Sequence, residues 1–306
     1  MKISIVISTY NGGKYIFSQL ESIKNQNRKP DEVLIFDDGS KDDTIKIITK
    51  FIKKYNLEKW KLIINEENKG WKRNFMEGIW IAQGDLIFPC DQDDIWMEDK
   101  LQIMEEIMLK HPNINVLTSN YEEFYDSGRR KICPMPENKK LTKQVLEENI
   151  FNVKYPGCTY CIRKKFAQMS KFYWEADYPH DALFWRMGIF SDSLYSYNKS
   201  LISWRKHEDS TFSIESRASK SLKEKQKWVE YAIRVINTIN NFIKNEKVNT
   251  EKKDKILNKS LKWLKLRRKF YNTRNVLYWL QLASYLNCYD RFKQYLGDLY
   301  LVLIKK

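Results

Sequence analysis

The chain has 306 residues, of which 42% are hydrophobic and 30% charged, and a formal net charge of +15. That length allows one large domain or two smaller ones with a sizeable core. No apolar stretch approaches the roughly 18–20 residues that span a bilayer, and no basic-then-apolar leader precedes the strand-like run Ile3 to Ile7, so neither a membrane span nor a signal peptide is expected. The charge is uneven. Residues 215–306 hold 22 Lys/Arg against 8 Asp/Glu, which is +14 of the +15. A basic segment of this kind suits an anionic lipid surface or a nucleic acid. The five cysteines are odd in number and scattered, and Cys158 and Cys161 form a lone Cys-x-x-Cys without a second pair. Reduced, partly buried thiols in a cytosolic protein are expected rather than a zinc site.

The first hundred residues alternate between two periodicities. Ile3 to Ser8 is an apolar run with β character, Thr9 to Gly13 a loop, and Tyr15, Ile16, Leu20 and Ile23 recur at helical spacing. Glu32 to Phe36 is a second strand ending at Asp37-Asp38-Gly39-Ser40. Asp43 or Thr44 then caps a helix through Ile47, Ile48, Phe51 and Ile52. Lys61 to Ile64 reads as a third strand, Trp71 to Ala82 as a helix and Leu86 to Cys90 as a fourth strand. Near-continuous apolar strands separated by helices predict βαβ units, a mostly parallel sheet covered on both faces, and a ligand site at the carboxyl ends of the strands.

Functional side chains collect at those ends. Strand one delivers Ser8, Thr9, Tyr10 and Asn11, strand two Asp37 and Asp38, and strand four Asp91, Asp93 and Asp94. Three carboxylates within four residues repel one another unless something neutralises them. Hard divalent cations such as Mg²⁺ or Mn²⁺ prefer such oxygens and share them with substrate phosphates. A nucleotide base needs a ring to stack on and an acceptor for its imide N–H, and Tyr10 and Asp38 are of those types.

Four segments in order carry a family resemblance. They are Ser8-Thr9-Tyr10-Asn11-Gly12-Gly13, then Asp37-Asp38-Gly39-Ser40-Lys41-Asp42-Asp43-Thr44, then Asn68-Lys69-Gly70 ahead of Asn74-Phe75, then Asp91-Gln92-Asp93-Asp94-Ile95-Trp96. In residues and spacing they resemble the family 2 glycosyltransferases of the GT-A fold, and the last is similar to the form in bacterial members described as rhamnosyltransferases. The resemblance covers roughly residues 1–210. It implies a nucleotide-sugar donor, a divalent cation and inversion at the anomeric carbon. It further implies that Ser8, Thr9, Tyr10 and Asp38 hold the base, that Asp91 lies near the ribose, that Asp93 ligates the metal, and that Lys72 or Arg73 reaches the nucleotide.

The middle of the chain adds the acceptor side. A helix after Glu98 carries Leu101, Met104, Ile107 and Met108 on one face, Asn115 to Tyr125 reads as a strand, and Ser127 to Lys143 is polar and turn-rich. By the resemblance, the segment led by Gly157 lines the acceptor pocket. Asp181, at the start of an amphipathic helix, matches the family's general base, and His180 orients Asp181 or the acceptor. Ser203-Trp204-Arg205-Lys206-His207 resembles the family's Tyr-Arg-Gln-His segment, which makes His207 the second protein ligand of the metal. Glu208 to Ser216 then reads as a lid. No Gln-x-x-Arg-Trp segment is present, which argues for one sugar per encounter.

The last ninety residues carry helical stripes at Leu222 to Ile243, at Leu257, Leu261 and Leu264, and at Phe292 to Leu303. Basic residues from Lys262 to Arg274 lie beside Trp263, Phe270, Tyr271, Tyr278 and Trp279. This pattern fits a membrane-surface helix and a packing or self-association helix equally.

The expectation is an α/β GT-A domain over residues 1–212, with its nucleotide-sugar half about 1–100 and its acceptor half about 101–212, and a basic helical extension over 213–306. Its activity would be transfer of one sugar from a UDP- or dTDP-sugar, dTDP-rhamnose among them, to a lipid-linked bacterial glycan. The enzyme would be cytoplasmic, on the inner face of the membrane, with a homodimer through the C-terminal helices as the other use of that region. A sugar-1-phosphate nucleotidyltransferase is disfavoured because Gly12-Gly13-Lys14 is not that family's glycine-rich loop. A non-catalytic sugar binder is disfavoured because Asp91, Asp93, Asp181 and His207 are all in place. A nucleic-acid binder is disfavoured because the positive charge lies away from the carboxylates and no recognisable motif appears.

Overall fold

The structure is a computed structural model that describes residues 1–125, 128–132, 137–206 and 221–304. The chain divides into two compact units, residues 1–144 with 153–206, and residues 145–152 with 207–306. The expected boundary at 212, the proposed metal ligand His207 and the lid Glu208 to Ser216 lie outside the described residues.

The first unit is one ten-stranded sheet with helices. Its N-terminal half is β1 (Ile3–Thr9), α1 (Ile16–Lys24), β2 (Glu32–Asp37), α2 (Thr44–Lys54), β3 (Trp60–Ile64), α3 (Trp71–Ile81) and β4 (Leu86–Cys90). These strands run parallel in the order β3-β2-β1-β4. Every residue of β1 and β4 is buried, as the unbroken apolar runs require of a sheet covered on both faces. The register sets Thr9 opposite Asp37 and Ile7 opposite Cys90, so the polar ends of three strands emerge at one level.

The remaining elements are β5 (Ile95–Trp96), α4 (Lys100–Lys110), β6 (Val116–Tyr125), β7 (Arg130–Ile132), β8 (Leu141–Lys143), β9 (Tyr160–Arg163), α5 (Lys164–Met169), α6 (His180–Phe190) and β10 (Leu194–Lys206). The sheet continues β4-β9-β6-β10-β5, with β9 antiparallel to both neighbours, β10 parallel to β6 and β5 antiparallel to β10. The parallel expectation therefore describes the N-terminal half, and the other half is mixed. Hydropathy conceals β10 because the strand buries Ser196, Asn198 and Ser203 and has irregular register between Tyr197 and Ser203. The short strands β7 and β8 lie in the stretch that reads as turn-rich. They exist through pairing with β6 and β10, not through patterning of their own.

The second unit contains α7 (Leu222–Asn245), α8 (Glu251–Thr273), α9 (Val276–Leu282) and α10 (Phe292–Leu299). Side-chain caps start three of them: Ser221 accepts from the Glu224 amide, Thr250 from Lys253 and Asn275 from Leu277. Val229, Ile236, Ile239 and Ile243 of α7 and Leu257 and Leu264 of α8 are buried, as their spacing predicts, while Leu222, Ile233 and Leu261 of the same stripes are half-buried. The basic-aromatic run does not face solvent as a whole. Trp263, Phe270 and Tyr271 are core residues. Arg267 forms a buried two-pronged ion pair with Asp298 at 2.9 Å on both arms, and the Tyr271 and Tyr289 hydroxyls also donate to Asp298. Among the described residues no helix is long and apolar enough to cross a membrane.

Candidate active site

The loops after β1 and β2 are fastened to each other. Thr9 Oγ1 donates to Asp37 Oδ2 at 2.9 Å, and the amide and hydroxyl of Ser40 donate to the same carboxylate at 2.8 and 2.6 Å. Asp37 is thereby committed to holding the turn. Asp38, also buried, accepts from Asn65 Nδ2 at 2.8 Å and from the amides of Lys69 and Gly70 at 2.9 Å. The Asn68-Lys69-Gly70 segment thus curls around Asp38, with Gly70 at φ +82°, where L side chains are strained. Ser8 is buried and its hydroxyl accepts from Asn74 Nδ2 at 2.8 Å. Tyr10 stands out as the exposed ring, 47% accessible. Its backbone is clamped on both sides by Gln92, whose Oε1 accepts from the Tyr10 amide at 2.9 Å and whose Nε2 donates to the Tyr10 carbonyl at 3.1 Å. A Cβ on Gly12 would lie 2.1 Å from Gln92 Oε1, so a side chain there would displace the Gln92 amide from its clamp on Tyr10. Lys72 lies at the start of α3 with its ammonium 5.4 Å from the Trp71 ring.

The acidic loop lies between β4 and β5, and pairing of β5 with β10 brings the end of β10 to it. The Arg205 amide donates to Asp94 Oδ1 at 3.0 Å and its Nε to the Asp93 carbonyl at 2.8 Å. The Arg205 guanidinium also lies 4.6 and 4.3 Å from the rings of Tyr15 and Phe124. Asp94 is buried, and its Oδ2 has no hydrogen-bond partner among the described residues. Ligand-type atoms of Asp91, Asp94 and Cys158 all lie within 4.8 Å of one another. Burial pushes Asp91 up to about 7, helped by the charges of Asp93 and Asp181. Asp94 is pushed well above the usual carboxylate range, first by burial and then by Asp93 and Asp91. Burial also raises the Cys158 thiol, which keeps it protonated and a poor ligand for a hard cation. Clustered, under-compensated carboxylate oxygens fit a hard divalent ion. The sequence places Asp94 in the acidic cluster and gives the ligand role to Asp93; the burial of Asp94 and its approach to Cys158, 64 residues further along the chain, are not local in the sequence.

Lys100 was also missed. At the first position of α4 it reads as a surface charge, yet it is fully buried. Its ammonium donates to the Cys158 carbonyl at 2.8 Å and lies 4.1 Å from the Trp96 ring. Burial lowers it to about 8, against the raising influence of Cys158, Cys90 and Asp94. The unfolded chain, with an ordinary lysine near 10.4, binds more protons between about pH 8 and 10.4, so this group makes stability rise with pH across that window. Below pH 8 both states are charged and the full cost, about 3 kcal/mol, is present. Urea unfolding of wild type and Lys100→Met at pH 7.5 and 10 should show wild type gaining on the variant by about 2–3 kcal/mol. Parallel profiles would mean that Lys100 titrates as an ordinary lysine.

On the other flank, Gly157 is buried against α6. A Cβ there would lie 2.3 Å from His180 Nε2 and 3.2 Å from the Asp181 Cβ, so three residues expected on the acceptor side do come together. His180 is buried, 4.3 Å centroid to centroid from Phe75, and burial lowers its pKa. Neither ring nitrogen has a hydrogen-bond partner among the described residues, so His180 does not orient Asp181 through a hydrogen bond. It packs between Phe75 and Gly157. Asp181 is partly exposed in the first turn of α6, and its Oδ1 accepts from the Ala182 amide at 2.7 Å. Its charge contributes to raising Asp91.

The family model for glycosyl transferase family 2 matches residues 4–172. The chain belongs to that family. The Shigella flexneri dTDP-rhamnosyl transferase RfbG is 33% identical to this family 2 chain over 175 residues, 54% of this chain and 57% of that one. An uncharacterized glycosyltransferase of Rickettsia typhi, RT0329, is 25% identical over 213 residues, 68% of this chain and 65% of that one. The matched part thus spans somewhat less than two thirds of these relatives. Among solved structures, S. aureus TarS 1–349 in complex with UDP-GlcNAc superposes with a TM-score of 0.63 at 18% identity, covering 95% of this chain and 93% of that one. The Pyrobaculum calidifontis mannosyltransferase PcManGT, in complex with GDP-Man and Mn²⁺, gives 0.55 at 13% identity, covering 100% and 88%. The fold is that of the GT-A glycosyltransferases, and the chain is a glycosyltransferase of family 2.

Proposed function

We propose that this glycosyltransferase is inverting, metal-dependent and non-processive, moving one sugar from a UDP- or dTDP-sugar to a growing, lipid-linked bacterial surface glycan. The observation that carries this reading is the approach of two separate sets of groups. The nucleotide-facing ends of β1, β2 and β4 lie on one side, and Asp181, at the head of α6, is near enough for its charge to raise Asp91. A single displacement needs a leaving-group side and a base side facing each other.

On the donor side, Tyr10 offers its exposed ring to the base and Asp38 a carboxylate to its imide N–H, with Ser8 and Thr9 bracing the strand end. Asp91 faces the ribose, and Lys72 the phosphates. Asp93, joined by His207 two residues past Arg205 in the chain, would hold Mn²⁺ or Mg²⁺, with the carboxyl groups of Asp91 and Asp94 beside it. A bound divalent cation offsets charge on the leaving diphosphate oxygens. On the acceptor side, Asp181 takes the proton from the attacking hydroxyl as its oxygen bonds to the anomeric carbon and the diphosphate oxygen departs. Gly157 and neutral His180 form the wall on which the acceptor rests. A dTDP-rhamnose donor draws support from the name of the Shigella relative, and a UDP-sugar from TarS. The working place would be the inner face of the cell membrane.

Thermal-shift measurements with UDP-, dTDP- and GDP-sugars plus Mn²⁺ test the donor class, because a ligand that binds the native state raises the unfolding temperature. Stabilisation by a UDP- or dTDP-sugar that requires the metal is expected. Stabilisation by GDP-sugars alone, or none by any nucleotide sugar, would overturn the assignment.

A further inference from the structure

The second unit carries an apolar face that its own core does not cover. Leu277 and Leu280 of α9 and Phe292, Leu296, Tyr300 and Leu303 on and after α10 are each between 43 and 59% exposed. From Phe292 to Leu303 the spacing is four, four and three, which draws one stripe along α10 and the turn that continues it. The stripe is held outward, because the opposite side of α10 is anchored. Tyr295 stacks on Trp279 at 4.6 Å, the Trp279 indole donates to the Tyr295 carbonyl at 3.1 Å, and Asp298 is locked to Arg267. Exposed cations surround it. Arg274 precedes α9, Lys269 reaches within 5.9 Å of the Tyr278 ring, and Arg291 and Lys293 flank Phe292. Residues 262–304 hold eight Lys/Arg and two Asp/Glu, and of those acids Asp298 is buried while Asp290 is paired with Arg291 at 3.3 Å.

We propose that this face docks on a bilayer that contains anionic lipid, with the α9–α10 side chains entering the interface and the cations meeting the headgroups. A second copy of the chain is the poorer occupant, because a two-fold contact through this face would set one cationic rim against another. A bilayer supplies both missing complements, an apolar layer and negative charge, and interfacial helices with these two features lie about 5–10 Å deep without spanning. This names the surface by which the glycosyltransferase proposed above would reach a lipid-linked acceptor. Vesicle binding is measured without donor or acceptor, so its failure and that of the proposed activity are seen separately.

The test is co-sedimentation of the full chain with phosphatidylcholine vesicles, with and without phosphatidylglycerol. Wild type should pellet with the anionic vesicles only, less so as salt rises from about 0.05 to about 0.5 M. A variant combining Leu277→Ser, Leu280→Ser, Phe292→Ser and Leu296→Ser should lose about tenfold or more in partitioning, with its thermal unfolding unchanged because these side chains are exposed. Should that variant fail to fold, Phe292→Ser alone should still lower partitioning several-fold. Wild type remaining in the supernatant with anionic vesicles at low salt would overturn the proposal. So would undiminished partitioning of the serine variants, which reduces binding to charge alone. So would light scattering that shows a dimer dissolved by the same substitutions, which makes the face a contact between copies.

Discussion

Asp181→Asn is expected to bind the donor as wild type does and to turn over about 10²–10⁴-fold more slowly. The substitution preserves size, and its side-chain carbonyl can still accept from the Ala182 amide, so the head of α6 and the Gly157–His180 packing should persist. What is lost is a group able to take a proton from the acceptor hydroxyl as the new bond forms. Asp181 also contributes to the raised pKa of Asp91, so removing its charge should ease that carboxylate toward ionisation, with no penalty for nucleotide or metal binding. Donor affinity by calorimetry and turnover by released nucleoside diphosphate separate the two effects. Turnover near wild type would remove Asp181 from the chemistry, and a parallel loss of donor affinity would show a positional role instead.

Asp93→Ala is expected to abolish the metal-dependent part of nucleoside diphosphate binding while leaving the fold intact. Asp93 is one of the charges that push both Asp91 and Asp94 upward, so its removal relieves repulsion within the loop. Its backbone carbonyl, which receives Arg205 Nε, is retained by alanine, and the tie between the acidic loop and β10 therefore survives. Calorimetric titration of UDP and dTDP with and without Mn²⁺ should show metal stimulation in wild type and none in the variant. Equal stimulation in both would move the ligand role to Asp91 and Asp94, whose oxygens already converge with Cys158.

The N-terminal half was legible in the sequence because its information is local. Unbroken apolar runs at Ile3, Glu32 and Leu86 define strands buried on both faces, and parallel strands in register must present their last residues together. Tyr10, Asp38 and Asp91 follow from counting to the end of each run. The stripes of α7 and α8 were readable for the same reason, since helical period is written in adjacent residues.

What only the tertiary structure decided concerns pairs far apart in the chain. Strand β10 buries serines and an asparagine that no hydropathy pattern marks, and it becomes a strand because β6 and β5 offer partners. Lys100 looks like any first-turn lysine until the Cys158 carbonyl, 58 residues away, encloses it beneath the carboxylates. Asp94 changes from a turn residue to a buried carboxyl group, well above the usual carboxylate range, through contact with Arg205 and Cys158. In the helical unit, composition announced cations beside aromatics, but which of them face water was decided by packing around the buried Arg267–Asp298 pair. Trp263 and Tyr271 are buried beside it, while Leu277 and Leu280 of α9 and Leu296 of α10 stay exposed. Local periodicity specifies elements because its determinants lie within a few residues. Burial of a charge depends on what covers it, and that is settled only when distant segments pack.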